Sequence, residues 1–355
     1  MPSTPDFFLD PAQYRPAPPA PDIRQRYGIG LVGCGTIART AHLPGYRDFG
    51  YRVVGCCDVA EDNARRAAAE FGIPFWTTDV DALLLRPDVD VIDLAVHAAH
   101  RRPLIEKIAA AGKPILSQKP FALNLPDAEA MVEACARAGV PLMINQQARW
   151  APEHRALRTV LDAGVLGHLY SVLHVNRSFQ DIPGSWFVQM RDFNIVDYGI
   201  HFIDLSRYLT GLEPRWVKAV TSTVPGQVAV SPMIYSIALQ YAPEAQVMST
   251  LHFNNIIRAR DAHSNAWYLD GTEGSAVLVG RELSLYRQDR RGLRLSWPIA
   301  GRWFPDAFGG SMGEFLQALA TGRAPATSGQ DNLRSIRIAY AAVESAGTGR
   351  AVELA

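Results

Sequence analysis

Short apolar runs alternate with amphipathic segments from Tyr27 to Asn145. Five continuous apolar runs predict buried strands, and the segments that follow them have polar residues at helical spacing. Several of these helical segments end at a glycine, as Glu61 to Phe71 does before Gly72. Strands alternating with helices of this length predict an α/β domain with a doubly wound parallel sheet. The predicted strands are 27–33, 51–57, 89–96, 114–117 and 141–145.

The alternation stops after Asn145, and long runs of β-type sequence dominate from Gly167 onward. Runs of strands after alternating units predict a second, α+β domain built on a large, mostly antiparallel open sheet. The predicted strands are 168–176, 215–223, 231–241, 246–253, 266–270, 274–279 and 282–287. The predicted helices of this part are 152–163, 194–209, 310–320 and 330–346.

Composition excludes several classes of protein. The 355 residues are 48% hydrophobic, and 35 basic residues balance 35 acidic ones, so no basic excess indicates binding to nucleic acid or to an anionic membrane. No apolar run approaches the roughly 20 residues that span a bilayer. The four cysteines show no CxxC spacing, which favours buried free thiols in a reducing cytosol and predicts a cytoplasmic protein.

The first 26 residues differ from the rest of the chain. They contain Pro16, Pro18, Pro19 and Pro21 and have no continuous apolar segment of a secretory signal. This composition predicts an extended, weakly structured arm. The arm is either a disordered tail or a segment that lies on a partner subunit or along a cofactor cleft.

A glycine-rich turn follows the first predicted strand. It comprises Gly33, Cys34, Gly35, Thr36, Ile37 and Ala38. Gly33 permits a tight turn, Gly35 lets a pyrophosphate approach the backbone, and the small Ala38 allows close packing of helix and strand. The backbone N–H groups and the helix dipole then hold the phosphates. A GxGxxA pattern that follows a strand and opens a helix predicts a Rossmann dinucleotide site.

An acidic residue ends the next strand at the position where a ribose-binding carboxylate is expected. This residue is Asp58, 20 positions after Ala38. A carboxylate accepts hydrogen bonds from the ribose hydroxyls and repels a 2′-phosphate, so NAD is favoured over NADP. Arg65 and Arg66 on the following helix weaken this preference only if they face the ribose, and we interpret them as a solvated helix face.

Four later segments make the chain resemble the Gfo/Idh/MocA oxidoreductase family. Ala111 to Pro120, AGKPILSQKP, is similar to the family's AGKHVLxEKP segment, and Asp197 to Gly211 is similar to its DxGxHxxDxxxxLxG helix. The segments Gly271 to Ser275 and Thr348 to Val352 also match in order and spacing. The resemblance extends from about Tyr27 to the C-terminus.

The resemblance implies a catalytic triad of Lys119, Asp197 and His201. The chemistry agrees with it, because Asp197 and His201 are four residues apart and share one helix face. A carboxylate orients an imidazole there, and a lysine stabilises a developing alkoxide. Lys119 follows a predicted strand at the carboxyl edge of the parallel sheet, where ligands bind. Either Lys119 or His201 is the final base in this scheme.

The chain departs from the family pattern at three places. Gln118 replaces the family's glutamate before the lysine, and an amide there still reaches the nicotinamide ribose. Arg191 and Asn194 replace glycines before Asp197 and become candidates for the substrate pocket. The family's TPN turn becomes Ala95 to His97, which places His97 near the cofactor, whereas His100 matches the family's usual histidine.

Two more residues are substrate candidates with open alternatives. Arg149 matches the arginine of the family's N-x-R-F segment, and it either contacts substrate or forms a domain-bridging ion pair. Trp186, on a predicted loop, either stacks on a sugar ring or packs in the core. The nine histidines show no ligand spacing, so no metal site is predicted.

These observations predict an NAD(P)-dependent dehydrogenase that oxidises a hydroxyl of a sugar, a sugar derivative or an inositol. Two alternatives remain: a tightly bound cofactor cycled in sugar–sugar oxidoreduction or glycoside cleavage, and a non-catalytic NAD-sensing protein. The family resemblance and the open sheet predict a homodimer or homotetramer. The predicted parts are an arm (1–26), a Rossmann domain (27–147) and a substrate-binding and oligomerisation domain (148–355).

Overall fold

The computed structural model describes residues 7–354. Its strands, in chain order, are β1 (Gly28–Val32), β2 (Arg52–Cys57), β3 (Trp76–Thr77), β4 (Val91–Leu94), β5 (Ile115–Gln118), β6 (Leu142–Asn145), β7 (Leu169–Arg177), β8 (Trp216–Ser222), β9 (Ile234–Gln240), β10 (Met248–Asn254), β11 (Ser264–Gly271), β12 (Gly274–Val279), β13 (Glu282–Arg287), β14 (Arg294–Pro298) and β15 (Val352–Glu353). The two-residue strands β3 and β15, and β14, were not predicted from the sequence.

The helices, in chain order, are α1 (Pro11–Tyr14), α2 (Pro21–Arg26), α3 (Leu43–Phe49), α4 (Glu61–Phe71), α5 (Val80–Leu84), α6 (Arg101–Ala110), α7 (Leu125–Arg137), α8 (Pro152–Asp162), α9 (Ile200–Thr210), α10 (Asp306–Thr321) and α11 (Gly329–Thr348). Two π-helical turns, Ala38–His42 and Phe193–Tyr198, directly precede α3 and α9. The sequence predicts one continuous helix over 36–46 and another over 194–209, and both predictions are wrong in detail. Both π-turns carry candidate site residues.

The described chain divides into two compact units. The parallel-sheet unit contains Pro16–Ala151 and Arg302–Ile336, and the large-sheet unit contains the described residues up to Arg15, Pro152–Gly301, and the residues from Arg337 onward. Residues 302–336 belong to the first unit because the buried side chains of Met312 and Phe315 on α10 share its core with β1, α3 and β5.

The parallel-sheet unit confirms the predicted Rossmann architecture. Its six strands are all parallel and lie in the order β3-β2-β1-β4-β5-β6. The strand order reverses at β1, which lies between β2 and β4. The crevice at the carboxyl ends of these strands is where open parallel sheets bind their ligands.

The large-sheet unit confirms the predicted open antiparallel sheet. Nine strands lie in the order β14-β13-β12-β11-β7-β10-β9-β8-β15. Only β7 and β10 are parallel neighbours among them. Helices α8 and α9 cover one face of the sheet. The other face, which we call the open face, carries apolar side chains in register: Leu173, Val175, Val220, Met248, Tyr268, Val277 and Val279.

The N-terminal arm is structured from Phe7 onward, which contradicts the expectation of an extended tail for these residues. Leu9 and Tyr14 are buried. The Tyr14 hydroxyl accepts the Ala300 N–H at 2.9 Å, and its carbonyl accepts a hydrogen bond from Arg155 Nε at 2.7 Å. The segment around α1 therefore packs on its own large-sheet unit. The expectation for Met1 to Asp6 lies outside the described residues.

A buried histidine lies between the covered face of the large sheet and α9. His174 on β7 stacks on Phe202 with ring centroids 4.2 Å apart and lies 4.4 Å from the Trp267 ring. Its Nε2 pairs with Asn265 Oδ1 at 3.3 Å. Burial removes the water that would solvate the charged imidazolium. The pKa of His174 is therefore held well below its usual value of 6.5.

We expect His174 to weaken the fold in acid. Its folded pKa is lowered, so below about pH 6.5 the unfolded chain binds a proton that the folded chain rejects, and the unfolding free energy falls by at most about 1.4 kcal/mol per pH unit. Urea denaturation between about pH 5 and 7.5 should show a smaller acid loss in His174→Phe than in the wild type. His252→Gln, a change on the neighbouring strand β10, is the control. Equal acid losses in His174→Phe and the wild type would contradict this account.

Candidate active site

The glycine turn begins directly after β1. Gly33 has a φ of +96°, and its N–H donates to the Cys57 carbonyl at 2.8 Å. A Cβ atom at this position would lie 2.9 Å from the carbonyl carbon of Ala95. Gly33 is therefore required both by the left-handed backbone and by the close approach of the chain after β4.

Gly35 faces open space. A Cβ atom at Gly35 would meet no atom of the described chain within 4 Å. Thr36 is exposed, Ile37 is half-buried, and Ala38 is fully buried where the π-helical turn begins. The first N–H groups of a helix have no intrahelical partner, so this turn presents backbone donors beside an open space. The residues present fit a pyrophosphate held by backbone groups.

Replacing Gly35 with alanine is expected to weaken NAD binding about tenfold or more, equivalent to about 1.4 kcal/mol. The methyl group would occupy the space in which the pyrophosphate approaches the backbone, while the backbone of Gly35 lies outside the left-handed region and tolerates a side chain. Titration calorimetry of the folded variant measures this loss. Gly347→Ala, at a helical glycine that is equally open, is the matched control. Unchanged NAD affinity in Gly35→Ala would show that the pyrophosphate does not bind at this turn.

Asp58 lies directly after β2 and braces the glycine turn. Its Oδ2 accepts the Cys34 N–H at 2.7 Å, and its Oδ1 accepts the Ala60 N–H at 2.8 Å. Asn63 Nδ2 also reaches Oδ1, at 3.5 Å. An ionised carboxylate has about four acceptor positions. Asp58 therefore has capacity left on Oδ2 for a ribose hydroxyl.

A buried polar network supports the π-helical turn after the glycine loop. His42 Nδ1 pairs with Asp93 Oδ2 at 2.8 Å, and the Tyr46 hydroxyl donates to the same oxygen at 2.7 Å. All three side chains are buried. Burial and the neighbouring carboxylate raise the pKa of Tyr46 well above its usual value. The network ties the helical segment after the loop to β4, next to the point where the strand order reverses.

Lys119 lies where the sequence places it, directly after β5 at the carboxyl edge of the parallel sheet. The Lys119–Pro120 peptide bond is cis. Gln118, which precedes it, is buried, and its Oε1 accepts a hydrogen bond from Asn145 Nδ2 at 3.0 Å. Asn145 ends the neighbouring strand β6, so Gln118 links the ends of β5 and β6.

Unsatisfied polar atoms cluster at the same strand ends. Within residues 7–354, Ser117 Oγ, Asn145 Oδ1 and both amide atoms of Gln146 are buried and have no hydrogen-bond partner. Orphaned buried polar atoms are rare, and each calls for an explanation such as an ordered water, an ion or a ligand. Ser117, Asn145 and Gln146 were not predicted as site residues, although polar side chains at the ends of apolar strands are a signal visible in the sequence.

Asp197 and His201 lie in the large-sheet unit. Asp197 is on the π-helical turn and His201 is in the first turn of α9, and both are mostly buried. The π-turn is a local departure from α-helical geometry of the kind that is frequent at functional sites. Asp204, further along the same helix, is fully buried and pairs with Arg207 at 3.5 Å. Arg207 also forms an ion pair with Glu213, so Asp204 belongs to a structural network.

Asn194, a predicted substrate contact, is fully buried and hydrogen-bonded within the protein. Its N–H donates to Ser231 Oγ at 3.2 Å, its Nδ2 donates to the Pro232 carbonyl at 2.8 Å, and its Oδ1 accepts a hydrogen bond from Asn255. The Asn194 carbonyl also accepts the Gly199 N–H at 2.9 Å. The amide is used to hold the π-helical turn that carries Asp197.

Three other predicted substrate and cofactor residues, His97, His100 and Arg149, lie after strands β4 and β6. His97 and His100 are exposed after β4, and His97 Nδ1 accepts the Ala99 N–H at 3.3 Å. Arg149 is mostly buried and forms an ion pair with Asp331 at 3.1 Å, both within the parallel-sheet unit. Arg149 therefore forms an ion pair, which was one of its two predicted roles. The pair lies within one unit and does not bridge the two units.

The loop before the π-turn keeps two exposed candidates. Trp186 is exposed, and its ring lies 5.6 Å from that of Phe187, which itself stacks on Phe193 at 4.2 Å. Arg191 is also exposed. Asp181 fixes the start of the loop by accepting the Ala229 N–H at 2.8 Å. An exposed indole on an anchored loop is available to stack on a sugar ring.

Neither metal nor thiol chemistry is indicated. No group of three or more potential metal ligands occurs among residues 7–354. All four cysteines are free and buried, and burial raises the pKa of Cys57 and of Cys135 to about 11. Thiols with such values remain protonated and are poor nucleophiles at neutral pH. Within the same residues, no helix is both long and apolar enough to cross a membrane.

Comparison with known proteins identifies two family domains. Residues 27–146 match the model of an oxidoreductase family with an NAD-binding Rossmann fold, and residues 154–277 match the GFO/IDH/MocA C-terminal domain. D-apiose dehydrogenase from Paraburkholderia graminis is 34% identical over 93% of this chain and 90% of its own. Inositol 2-dehydrogenase from Rhizobium meliloti is 25% identical over 92% of this chain and 99% of its own.

A solved structure agrees with the fold. An oxidoreductase from Agrobacterium radiobacter, crystallised with NAD⁺, L-tartaric acid and magnesium, superposes with a TM-score of 0.83 at 25% identity, over 92% of this chain and 98% of that chain. The match covers both sheets, and the glycine turn and the AGKPILSQKP segment fall within the matched Rossmann domain. The chain therefore belongs to the Gfo/Idh/MocA family of oxidoreductases, which has an NAD-binding Rossmann fold.

Proposed function

We propose that this enzyme oxidises a hydroxyl of a small sugar, sugar derivative or inositol with NAD, and that Lys119, Asp197 and His201 are its catalytic residues. The observation that carries the proposal is the position of Lys119. It follows β5 beside the orphaned polar atoms of Ser117, Asn145 and Gln146, at the edge where a parallel sheet binds its ligand. A ligand with several hydroxyl or amide groups would satisfy those atoms.

Each residue has a distinct role in this proposal. A bound nicotinamide dinucleotide supplies the hydride acceptor. The Lys119 ammonium stabilises the negative charge that develops on the substrate oxygen. Either His201 takes the hydroxyl proton directly, or Lys119 takes it as a neutral amine, becomes the ammonium and passes a proton on to His201. In both cases Asp197 orients the imidazole and stabilises its charged form. Gln118 ends β5, and His97 and His100 follow β4; these three are the cofactor-side candidates. The substrate-side candidates are Trp186, Arg191 and Arg149.

D-apiose is the first substrate to test. Two relatives named D-apiose dehydrogenase are 34% and 28% identical to this chain over more than nine tenths of its length. Relatives named for inositols are less similar, at 25% and 24%. We therefore propose a pentose-sized sugar in preference to an inositol.

The test is an absorbance assay at 340 nm with NAD and a panel that contains D-apiose, other pentoses, hexoses, myo-inositol and scyllo-inositol. The proposal expects NADH formation with one sugar class, at a rate that falls about a hundredfold or more in Lys119→Met. Tightly bound cofactor that survives gel filtration, with product formed but no NADH released, would instead support internal cycling of the cofactor. NADH formation by Lys119→Met at the wild-type rate would refute the assignment of the lysine.

The preference for NAD over NADP rests on Asp58 in this proposal. Asp58→Asn keeps an oxygen that accepts the Cys34 N–H but removes the charge that repels a 2′-phosphate. We expect the ratio of NADP to NAD dissociation constants to fall about tenfold, equivalent to about 1.4 kcal/mol, in this variant. Asp62→Asn, on the exposed face of α4, is the charge-matched control. A wild-type enzyme that binds NADP more tightly than NAD would contradict the role of Asp58.

We also propose that the open face of the large sheet is covered by a second copy of the chain. Val220, Met248 and Val279 are each about half exposed on it, and large exposed apolar side chains on one sheet face often mark an interface. Light scattering should report a dimer or tetramer at micromolar concentration. Met248→Lys together with Val220→Lys should shift this protein toward the monomer, whereas a wild-type monomer would overturn the proposal.

A further inference from the structure

Arg101 is a buried guanidinium at the first residue of α6. Its Nε donates to the Val96 carbonyl at 2.9 Å, and its Nη2 donates to the Lys119 carbonyl at 3.2 Å. Its Nη1 donates to the Pro120 carbonyl and reaches the Phe121 carbonyl at 3.5 Å. A cation is unfavourable at a helix N-terminus and is costly to bury. These hydrogen bonds therefore offset both the free-energy cost of burying the cation and the cost of placing it at a helix N-terminus.

The accepting carbonyls belong to two neighbouring loops. Val96 follows β4, and Lys119 to Phe121 follow β5, which pairs with β4 in the parallel sheet. Both loops lie at the carboxyl edge, where the cofactor and Lys119 are proposed to meet. One guanidinium has five N–H donors in a rigid plane and spans both loops at once. It fixes the backbone of Lys119 relative to the loop that follows β4.

We propose that Arg101 is a positioning residue for Lys119, which sets the place of the lysine side chain by holding the carbonyls of 119–121. The inference rests on the proposed function of Lys119. Arg101 itself does not touch the reacting atoms in this scheme. We call the hydrogen bonds from the Arg101 guanidinium to these carbonyls the clamp. A displacement of about 1 Å at a catalytic group costs about a hundredfold in rate, so loss of the clamp should lower kcat.

The neighbouring Arg102 provides a matched control. It is the same residue type one position later on α6, but it is exposed and pairs with Glu106 at 3.0 Å and Asp127 at 2.7 Å. Surface ion pairs of this kind contribute little to stability. Arg102→Ala therefore removes the same side chain from the same helix and leaves the hydrogen bonds to the carbonyls of 119–121 in place.

The experiment compares Arg101→Ala, Arg101→Lys and Arg102→Ala by two readouts. The first is hydrogen exchange of the amides in 119–124 in the protein without substrate. We expect exchange there to rise about tenfold or more in Arg101→Ala, because the clamp no longer resists local opening, and to stay unchanged in Arg102→Ala. Arg101→Lys should behave like Arg101→Ala, since an ammonium on a flexible stem cannot span both loops, and it replaces that variant if alanine does not fold.

The second readout is kcat in two backgrounds. Arg101→Ala should lower kcat about a hundredfold and leave the NAD dissociation constant nearly unchanged, and added guanidinium ion should restore part of the rate. In a Lys119→Met background the same change should have almost no further effect, because a residue that acts through Lys119 is silent once the lysine is gone. Equal losses in both backgrounds, or wild-type exchange in 119–124, would overturn the inference. A wild-type enzyme inactive on the whole panel would reject the proposed function instead, while the exchange result still decides whether Arg101 clamps this loop.

Discussion

Lys119→Met is expected to lower kcat by about 10²–10³-fold, the usual effect of removing one preorganised donor from a developing oxyanion. Methionine is close to lysine in length and keeps the apolar stem, so packing around β5 should survive. The ammonium is the group that is lost. Because Lys119 acts mainly on the developing alkoxide in our proposal, kcat and kcat/KM should fall together, while the NAD dissociation constant changes by less than about threefold.

The measurement is steady-state kinetics with the best sugar of the panel, together with calorimetric titration of NAD. Lys107→Met is the control, because Lys107 on α6 forms an exposed ion pair with Asp81 at 2.7 Å and lies in the same unit. A rise in KM for the sugar at constant kcat would mean that Lys119 binds ground state and transition state equally. That result would remove the lysine from catalysis and leave it a binding residue.

The cofactor site is predicted from signals that are local in the sequence. A strand, the turn from Gly33 to Ala38, a helix and Asp58 lie within about 30 consecutive residues, the length of one βαβ unit. Each glycine has a steric reason that one sequence reveals. The structure adds that the Asp58 carboxylate braces the turn itself through Cys34, a contact that no spacing rule describes.

The two π-helical turns were not predictable from periodicity. A π-turn inserts one residue into an otherwise regular helix, so the apolar spacing on both sides still fits a helix. At Phe193–Tyr198 the turn is held by Asn194, whose partners at Ser231, Pro232 and Asn255 are far away in the sequence. A polar residue before Asp197 therefore seemed available to substrate until its hydrogen bonds were known.

Arg101 and Arg102 also show that the sequence does not reveal which polar side chains are buried by tertiary contacts. Two adjacent arginines at a helix start predict a solvated face. In the fold one of them is 2% exposed and holds the loop of Lys119, whereas the other is on the surface. The choice depends on where the loop after β5 passes, which is a tertiary feature. Similarly, the two-residue strands β3 and β15 exist only through their sheet neighbours.

His201→Asn is expected to lower kcat by about 10²–10⁴-fold, the range for loss of a general base. Asparagine keeps a hydrogen-bonding group near the position of the imidazole but cannot take a proton at neutral pH. If His201 is the final base, kcat/KM of the wild type falls as the pH drops and the imidazole becomes protonated. This acidic limb should disappear in His201→Asn. An acidic limb that persists in the variant would assign the base to Lys119.

The effect of Asp197 is separable from that of a structural carboxylate on the same helix segment. Asp197→Asn removes the charge that orients and stabilises the imidazolium, so kcat should fall and the acidic limb should shift to lower pH while the fold stays intact. Asp204→Asn removes a carboxylate that pairs with Arg207 in the core, so the free energy of unfolding should fall instead. The acidic limb of Asp204→Asn should then match that of the wild type. A pH shift in Asp204→Asn but not in Asp197→Asn would exchange the two assignments and make Asp204 the partner of His201.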